Sequence, residues 1–155
     1  MNLPFGKPLV IAHRGASSLA PENTLQAAER GWCVAADLWE LDVAMSADGV
    51  PVVIHDDTLQ RTSNAATVFP ERSPWEVHKF NVTELARLDF GSWYVKNDPY
   101  GQIAAEQVTH EDIRRYLGAQ IPTLQEALRF TYERNWRVNI EIKDLTGKPG
   151  DNVIV

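Results

Sequence analysis

The sequence, 155 residues long, holds a single cysteine, Cys33. That excludes an internal disulfide framework and a metal cluster built from cysteines. No apolar run approaches the roughly 18 residues of a spanning helix, so no integral membrane segment is expected. Cations are in short supply: Lys plus Arg is 15 against 21 Asp plus Glu, a net charge of −6. Phosphate backbones are neutralised by clustered cations, so nucleic acid is not an expected partner. The basic amphipathic face of a membrane-surface protein is missing too. The first seven residues, Met1 to Lys7, have no charged stretch followed by an apolar one. No signal peptide is therefore expected, and the default compartment is the cytoplasm. Neither a dinucleotide fingerprint nor a P-loop occurs, and no repeat or low-complexity tract is found. What remains is ordinary globular material, 44% apolar and 23% charged, enough for one domain over residues 1–155 with a sizeable core.

The order of elements predicts an α/β fold. Leu9-Val10-Ile11-Ala12 reads as a buried strand and leads into His13-Arg14-Gly15. Pro21-Glu22-Asn23-Thr24 is expected to open a helix through about Trp32, with acid at its start. Leu38 to Met45 is a second strand, with Trp39, Leu41 and Val43 on one face and Glu40 and Asp42 on the other. Ser46-Ala47-Asp48-Gly49 forms a hairpin turn, and Pro51 to His55 returns as a short strand. Residues 58–119 are irregular, with helices near Val82–Leu88 and Thr109–Leu117, and read as an excursion from one framework. Thr123 with Glu126 makes a capping box for a helix to about Arg134, whose apolar face is Leu124, Ala127, Leu128 and Thr131. Trp136 to Lys143 is the next strand, followed by a polar stretch. Strands alternating with helices favour a parallel sheet covered by helices.

Two of these strands carry a charged face, which is costly without a cation or a wet mouth. Glu40 and Asp42 project side by side, and Glu141 sits midway along a later strand. Three converging carboxylates favour a divalent cation, and an all-oxygen set suits Mg²⁺ or Ca²⁺ better than Zn²⁺. The same alternation also fits a solvated edge strand. His13 and His55 each end an apolar strand run and suit acid–base work, although loop histidines also cap strands. Arg14 and Lys143 are cations close to the acids, apt for an anionic oxygen substrate such as phosphate; salt bridging alone would explain them equally. Cys33 is expected to pack in the apolar face of the first helix. Trp93-Tyr94 could line a pocket, and His78 and His110 receive no role.

Taken in order, His13-Arg14-Gly15, Pro21-Glu22-Asn23-Thr24, Glu40-Leu41-Asp42, Pro51 to Asp56, Ile121-Pro122-Thr123-Leu124 and Asn139 to Lys143 resemble the glycerophosphodiester phosphodiesterase family. The resemblance implies a TIM (β/α)8 barrel of the phospholipase-C-like phosphodiesterase type. It implies Glu40, Asp42 and Glu141 as ligands of one divalent cation, Mg²⁺ or Ca²⁺, and His13 and His55 as the acid–base pair. It also implies Arg14 and Lys143 as phosphate contacts, with Glu22 near the site. The implied reaction is hydrolysis of a small-molecule glycerophosphodiester to sn-glycerol 3-phosphate and an alcohol. Two departures stand out. The family usually has glycine after Arg61-Thr62-Ser63-Asn64, where this chain has Ala65. A TIM barrel also takes about 250 residues, so this length is expected to supply about three of eight strand–helix units, with 58–119 as a variable insertion. On that expectation the chain is truncated, or its open sheet is closed in a homo-oligomer. The competing readings are an inactive half-barrel binding module and a related barrel phosphodiesterase acting on lysophospholipids.

Overall fold

The structure is a computed structural model that describes residues 8–143; the polar stretch after Lys143 lies outside them. Its centre is strand β2 (Leu38–Met45). Strand β4 (Arg137–Ile142) runs parallel along one side of β2, in register from Leu38↔Arg137 to Val43↔Ile142. On the other side, strand β1 (Ile11–Ala12) pairs parallel with Leu38 and Trp39, and strand β3 (Pro51–Val53) pairs antiparallel with Val43 to Met45. The two long-range pairings of the framework, β1 with β2 and β2 with β4, are thus parallel, with one local hairpin at the carboxyl end of β2.

Helix α1 (Leu25–Cys33) follows β1. Its N-cap is Thr24, whose hydroxyl accepts from the Ala27 N–H at 3.2 Å and donates to the Pro21 carbonyl at 2.7 Å. The expected acidic start is corrected: Glu22 precedes the cap and turns to the site described below. Between β3 and β4 come α2 (Ala65–Val68), α3 (Val82–Leu85), α4 (Ser92–Asn97), α5 (His110–Tyr116) and α6 (Leu124–Glu133). Helix α6 has the predicted capping box of Thr123 and Glu126. Ala65, where glycine is usual in the resembling family, opens α2 with its side chain fully buried, so the backbone there does not demand glycine.

Trp39, Leu41 and Val43 point from β2 into one core, packed on Ala28 of α1 and Ala127 of α6. Trp39 stacks on Trp136 at 6.1 Å and donates through Nε1 to the Thr131 hydroxyl at 2.9 Å. A second core beneath the hairpin joins Ala44, Val52 and Ile54 to Leu59, Phe80, Leu85 and Phe90 of the irregular stretch. A third joins Ala20 and Ala27 to Tyr94, Val108 and Tyr116. The excursion is therefore packed on the framework.

Several local expectations are corrected. Leu9, Val10 and Ile11 are half exposed, because β1 is bonded to β2 alone among the described residues. Cys33 is exposed. It lies on the opposite side of the helix from Ala27, Ala28 and Gly31, which face the core. Leu128 of α6 is exposed while Phe130 packs edge-on to Trp39, so the buried face is rotated toward Phe130. Tyr94 is core, not pocket wall.

Candidate active site

The carboxyl ends of β1, β2 and β4 meet at one place. Parallel register sets Asp42 directly beside Glu141, with Glu40 two residues earlier on the same face of β2. One ligating oxygen from each of Glu40, Asp42 and Glu141 lies within 4.8 Å of the others. Glu40 and Asp42 are buried, with side-chain exposures of 8% and 1%, while Glu141 is open to solvent. Two buried carboxylates on a strand face are unfavourable unless something positive meets them.

The loop after β1 supplies part of that charge. Arg14 sits at φ +54° and Gly15 at φ +76°. A Cβ on Gly15 would lie 2.5 Å from the Ala27 backbone carbon, so only glycine lets this loop lie against α1. The turn aims the Arg14 N–H at Glu40 Oε2, 2.8 Å away. It brings Arg14 Nε to 3.5 Å from Asp42 Oδ2. His13 Nε2 lies 3.9 Å from Glu40 Oε2, on a ring two-thirds exposed. Burial pushes the Glu40 carboxyl above its ordinary pKa; the Arg14 N–H opposes this, the Asp42 charge adds to it, His13 opposes and Glu141 adds.

Backbone hydrogen bonds to β2 and to the segment before α6 position the second histidine. The Ile54 N–H donates to the Asp42 carbonyl at 2.9 Å, and the Val53 N–H to Pro122. His55 follows at once, and its Nδ1 lies 2.8 Å from Asp56 Oδ1. His55, Asp56, Asp57, Thr58 and Lys143 line one concave opening. The Lys143 ammonium bonds Glu141 and lies 3.1 Å from Asp42 Oδ1. That second contact is ionic without hydrogen-bond alignment, so Asp42 Oδ1 is buried yet accepts no hydrogen bond.

Glu22, the remaining predicted residue, is 6% exposed at its side chain, and arginines occupy both oxygens. Arg14 Nη1 donates to Oε1 at 2.9 Å, and Arg61 donates to Oε1 and Oε2 at 2.7 and 2.8 Å. Burial alone would raise its pKa, but the bonds and charges of Arg61 and Arg14 outweigh that and hold it below the ordinary value. Arg61 also forks onto Asp56, and this bond, against the opposing effect of burial, holds that carboxyl at about 2. All eight predicted residues thus lie in one connected set of polar contacts.

Three residues of this set had no role assigned from sequence. Asn23 donates to Asp42 Oδ2 at 2.9 Å and accepts from the Asp42 N–H at 3.3 Å, from a backbone with φ +57°. Asp56 and Arg61 complete the contacts of His55 and Glu22. Their signal lay in motifs already visible, Glu22-Asn23-Thr24, His55-Asp56 and Arg61-Thr62, but sequence spacing does not tell which members of a motif face the site.

The donor set fits a divalent cation. Five carboxylates (Glu22, Glu40, Asp42, Asp56 and Glu141) face three fixed cations (Arg14, Arg61 and Lys143), which leaves two negative charges with the histidines neutral. Asp42 Oδ1, buried and met by the Lys143 ammonium at 3.1 Å without an accepted hydrogen bond, and the all-oxygen cluster suit a hard cation.

Parallel strands that carry acids, a histidine and cations toward their carboxyl ends define an α/β protein with these residues where TIM-barrel-like folds place their sites. Residues 13–151 match the model of the glycerophosphoryl diester phosphodiesterase family, and the chain belongs to that family. A mouse glycerophosphoinositol inositolphosphodiesterase is 36% identical over 137 residues, 88% of this chain and 25% of that one. A glycerophosphodiester phosphodiesterase of Bacillus subtilis is 35% identical over 88% of this chain and 41% of its own. The crystal structure of a glycerophosphodiester phosphodiesterase from Agrobacterium tumefaciens superposes with a TM-score of 0.69 at 34% identity, over 90% of this chain and 48% of that one. An Oleispira antarctica phosphodiesterase, solved with its product sn-glycerol 3-phosphate, superposes with a TM-score of 0.67 at 34% identity, over 88% of this chain and 44% of that one. The chain thus spans less than half the length of these relatives. No helix among the described residues is long and apolar enough to cross a membrane.

Proposed function

We propose that this chain carries the catalytic residues of a divalent-cation-dependent hydrolase that cleaves small glycerophosphodiesters to sn-glycerol 3-phosphate and an alcohol. The observation that carries the reading is the cluster of Glu40, Asp42 and Glu141 oxygens within 4.8 Å, joined by polar contacts to both histidines. Glu40, Asp42 and Glu141 would hold Mg²⁺ or Ca²⁺, which when bound neutralises phosphoryl charge and acidifies a nearby hydroxyl. His13 and His55 divide the proton work, one accepting the proton of the substrate's own glycerol hydroxyl as it attacks phosphorus and the other protonating the leaving alkoxide, after which water opens the cyclic phosphate to sn-glycerol 3-phosphate. Arg14 and Lys143 offer N–H donors to the phosphoryl oxygens. Glu22 contributes through Arg14, whose guanidinium it holds, since its own oxygens are taken. The concave opening beside His55 and Lys143 is lined by charged and hydroxyl-bearing residues, which suits a water-soluble diester.

On this reading the parallel strands β1, β2 and β4 would be three of the eight strands of a TIM barrel. The outer edges of β1 and β4 meet no further strand among the described residues. That openness favours, as a second reading, a part-barrel that binds without turnover until its edges are closed. The test is release of sn-glycerol 3-phosphate from glycerophosphocholine with Mg²⁺ or Ca²⁺, beside calorimetric titration of the same ions. Ion binding and turnover that both vanish in Glu40→Gln support hydrolysis. Turnover that survives Glu40→Gln and chelator overturns it, and ion binding without turnover supports the second reading.

A further inference from the structure

Arg61 lies outside the roles assigned above, yet it joins both sides of the site. Its Nε and Nη2 donate to Asp56 Oδ2 and Oδ1 at 2.7 and 2.9 Å. Its Nη2 and Nη1 donate to Glu22 Oε1 and Oε2 at 2.7 and 2.8 Å. Four of the five guanidinium N–H groups are thereby spent in two forks. The plane is backed by Trp93, 5.7 Å away at the ring centroid, and Trp93 is itself anchored by its Nε1 bond to the Phe90 carbonyl at 2.9 Å. Beyond one fork, Asp56 Oδ1 meets His55 Nδ1 at 2.8 Å; beyond the other, Glu22 Oε1 meets Arg14 Nη1 at 2.9 Å.

We infer that Arg61 is a positioning residue that locks the loop after β3 to the loop before α1, so that Asp56 orients His55 and Glu22 orients Arg14. The effect on rate rests on the phosphodiester reading above; the locking does not. An ionised carboxylate only accepts, so Asp56 selects the Nδ1–H tautomer of neutral His55 and leaves its Nε2 lone pair for proton transfer. The other charged groups lining the opening with His55 are Asp57 and Lys143, and neither contacts its Nδ1. A surface ion pair without consequence is the competing account. It fits poorly, because Glu22 is 6% exposed and each carboxylate is gripped at both oxygens. Lysine cannot take over, since one ammonium cannot fork two carboxylates at once.

The test combines NMR of the His55 ring with steady-state kinetics on glycerophosphocholine, for the full chain and for Arg61→Gln, Arg61→Lys and Asp56→Asn. Expected are an Nδ1–H ring in the wild type and a mixed or Nε2–H ring in all three variants. For both Arg61 variants kcat should fall roughly 10²-fold, the scale of a small misplacement of reacting groups, and KM should rise as Arg14 is released. Wild-type ring signals in folded Arg61→Gln, or wild-type kinetics in Arg61→Lys, would overturn the inference. If the Arg61 variants fail to melt cooperatively, an unchanged ring in Asp56→Asn overturns it and a switched ring supports it. A wild-type chain without turnover counts against the hydrolase reading, and the ring signals then decide the locking alone.

Discussion

Glu40→Gln should stabilise the chain in chelator and abolish its response to divalent cations. The Glu40 and Asp42 side chains are 8% and 1% exposed, with ligating oxygens within 4.8 Å. At an effective dielectric constant near 20, two like charges at that separation repel by about 3 kcal/mol. Arg14, Asn23 and Lys143 offset part of this at Asp42, and glutamine keeps an oxygen to accept the Arg14 N–H. The net gain expected in chelator is about 1 kcal/mol, or roughly 2–4 °C in Tm for a chain of this size. A cation held by the folded form at 100 times its Kd adds about 2.7 kcal/mol to the wild type, roughly 5–10 °C, and nothing to the variant. The two proteins should therefore change order: the variant melts higher in chelator, and the wild type melts higher in millimolar Mg²⁺ or Ca²⁺. Scanning calorimetry in both conditions reads this directly. A variant less stable than wild type in chelator, or equal cation shifts in both, would refute the reasoning.

Acid titration should separate two carboxylates. Glu40 has a raised folded pKa, so its ionisation costs stability above about pH 4.5, and the gap between Glu40→Gln and wild type in chelator should close as pH falls to that value. Asp56 is held at about 2, so its contribution is complete above pH 3.8 and is lost as pH falls toward 2. It amounts to about 1 kcal/mol after allowing for solvent screening, and urea melts of Arg61→Gln should lack that acid-labile step. Gly15→Ala combines φ +76° with a Cβ 2.5 Å from the Ala27 backbone, and should cost about 3 kcal/mol by urea unfolding. Lys143→Met frees the Asp42 and Glu141 oxygens that the ammonium now holds; cation affinity by calorimetry should rise while kcat/KM falls. Trp39→Phe removes the bond to Thr131 and should lower Tm by the equivalent of about 1–3 kcal/mol, with the cation increment unchanged.

Much of the site was legible because β2 alternates strictly. Glu40 and Asp42 could share a face only if residues 38–45 were extended, and the apolar partners Trp39, Leu41 and Val43 required that. Glu141 followed from the same alternation in β4, although the register that sets it beside Asp42 comes from pairing and not from composition. The capping box at Thr123 was legible because it is a local bond pattern. What the sequence concealed is tertiary. Leu9 to Ile11 read as buried from their apolarity, but burial depends on a neighbour on both edges. Leu128 and Phe130 lie on opposite flanks of the Ala127–Thr131 stripe of α6, and the Trp39 ring draws in the Phe130 flank. Arg61 lies in the irregular stretch, where no periodicity marks a buried partner, and its importance appears only once Glu22 and Asp56 are close in space. The left-handed turns at Arg14 and Asn23 likewise carry little sequence signal, since neither residue is glycine.

The two faces of β2 divide the work. On one, Trp39, Leu41 and Val43 are at most 2% exposed and tie the sheet to α1 and α6. On the other, Glu40 and Asp42 are held nearly as dry, at a cost the first face must offset. That cost explains why so many donors converge there. The Arg14 N–H, the Asn23 amide and the Lys143 ammonium each meet an oxygen that would otherwise be buried and bare. Those contacts stop short of full compensation: Asp42 Oδ1 accepts no hydrogen bond, and two negative charges remain unmatched across the set. A site that was purely structural would gain by losing one carboxylate. Retaining the excess leaves a pre-shaped demand for two positive charges, which a divalent cation meets and a surface salt bridge does not. Substitutions on the apolar face should therefore move stability and leave the cation increment alone, whereas substitutions on the acidic face should move the increment and spare the fold.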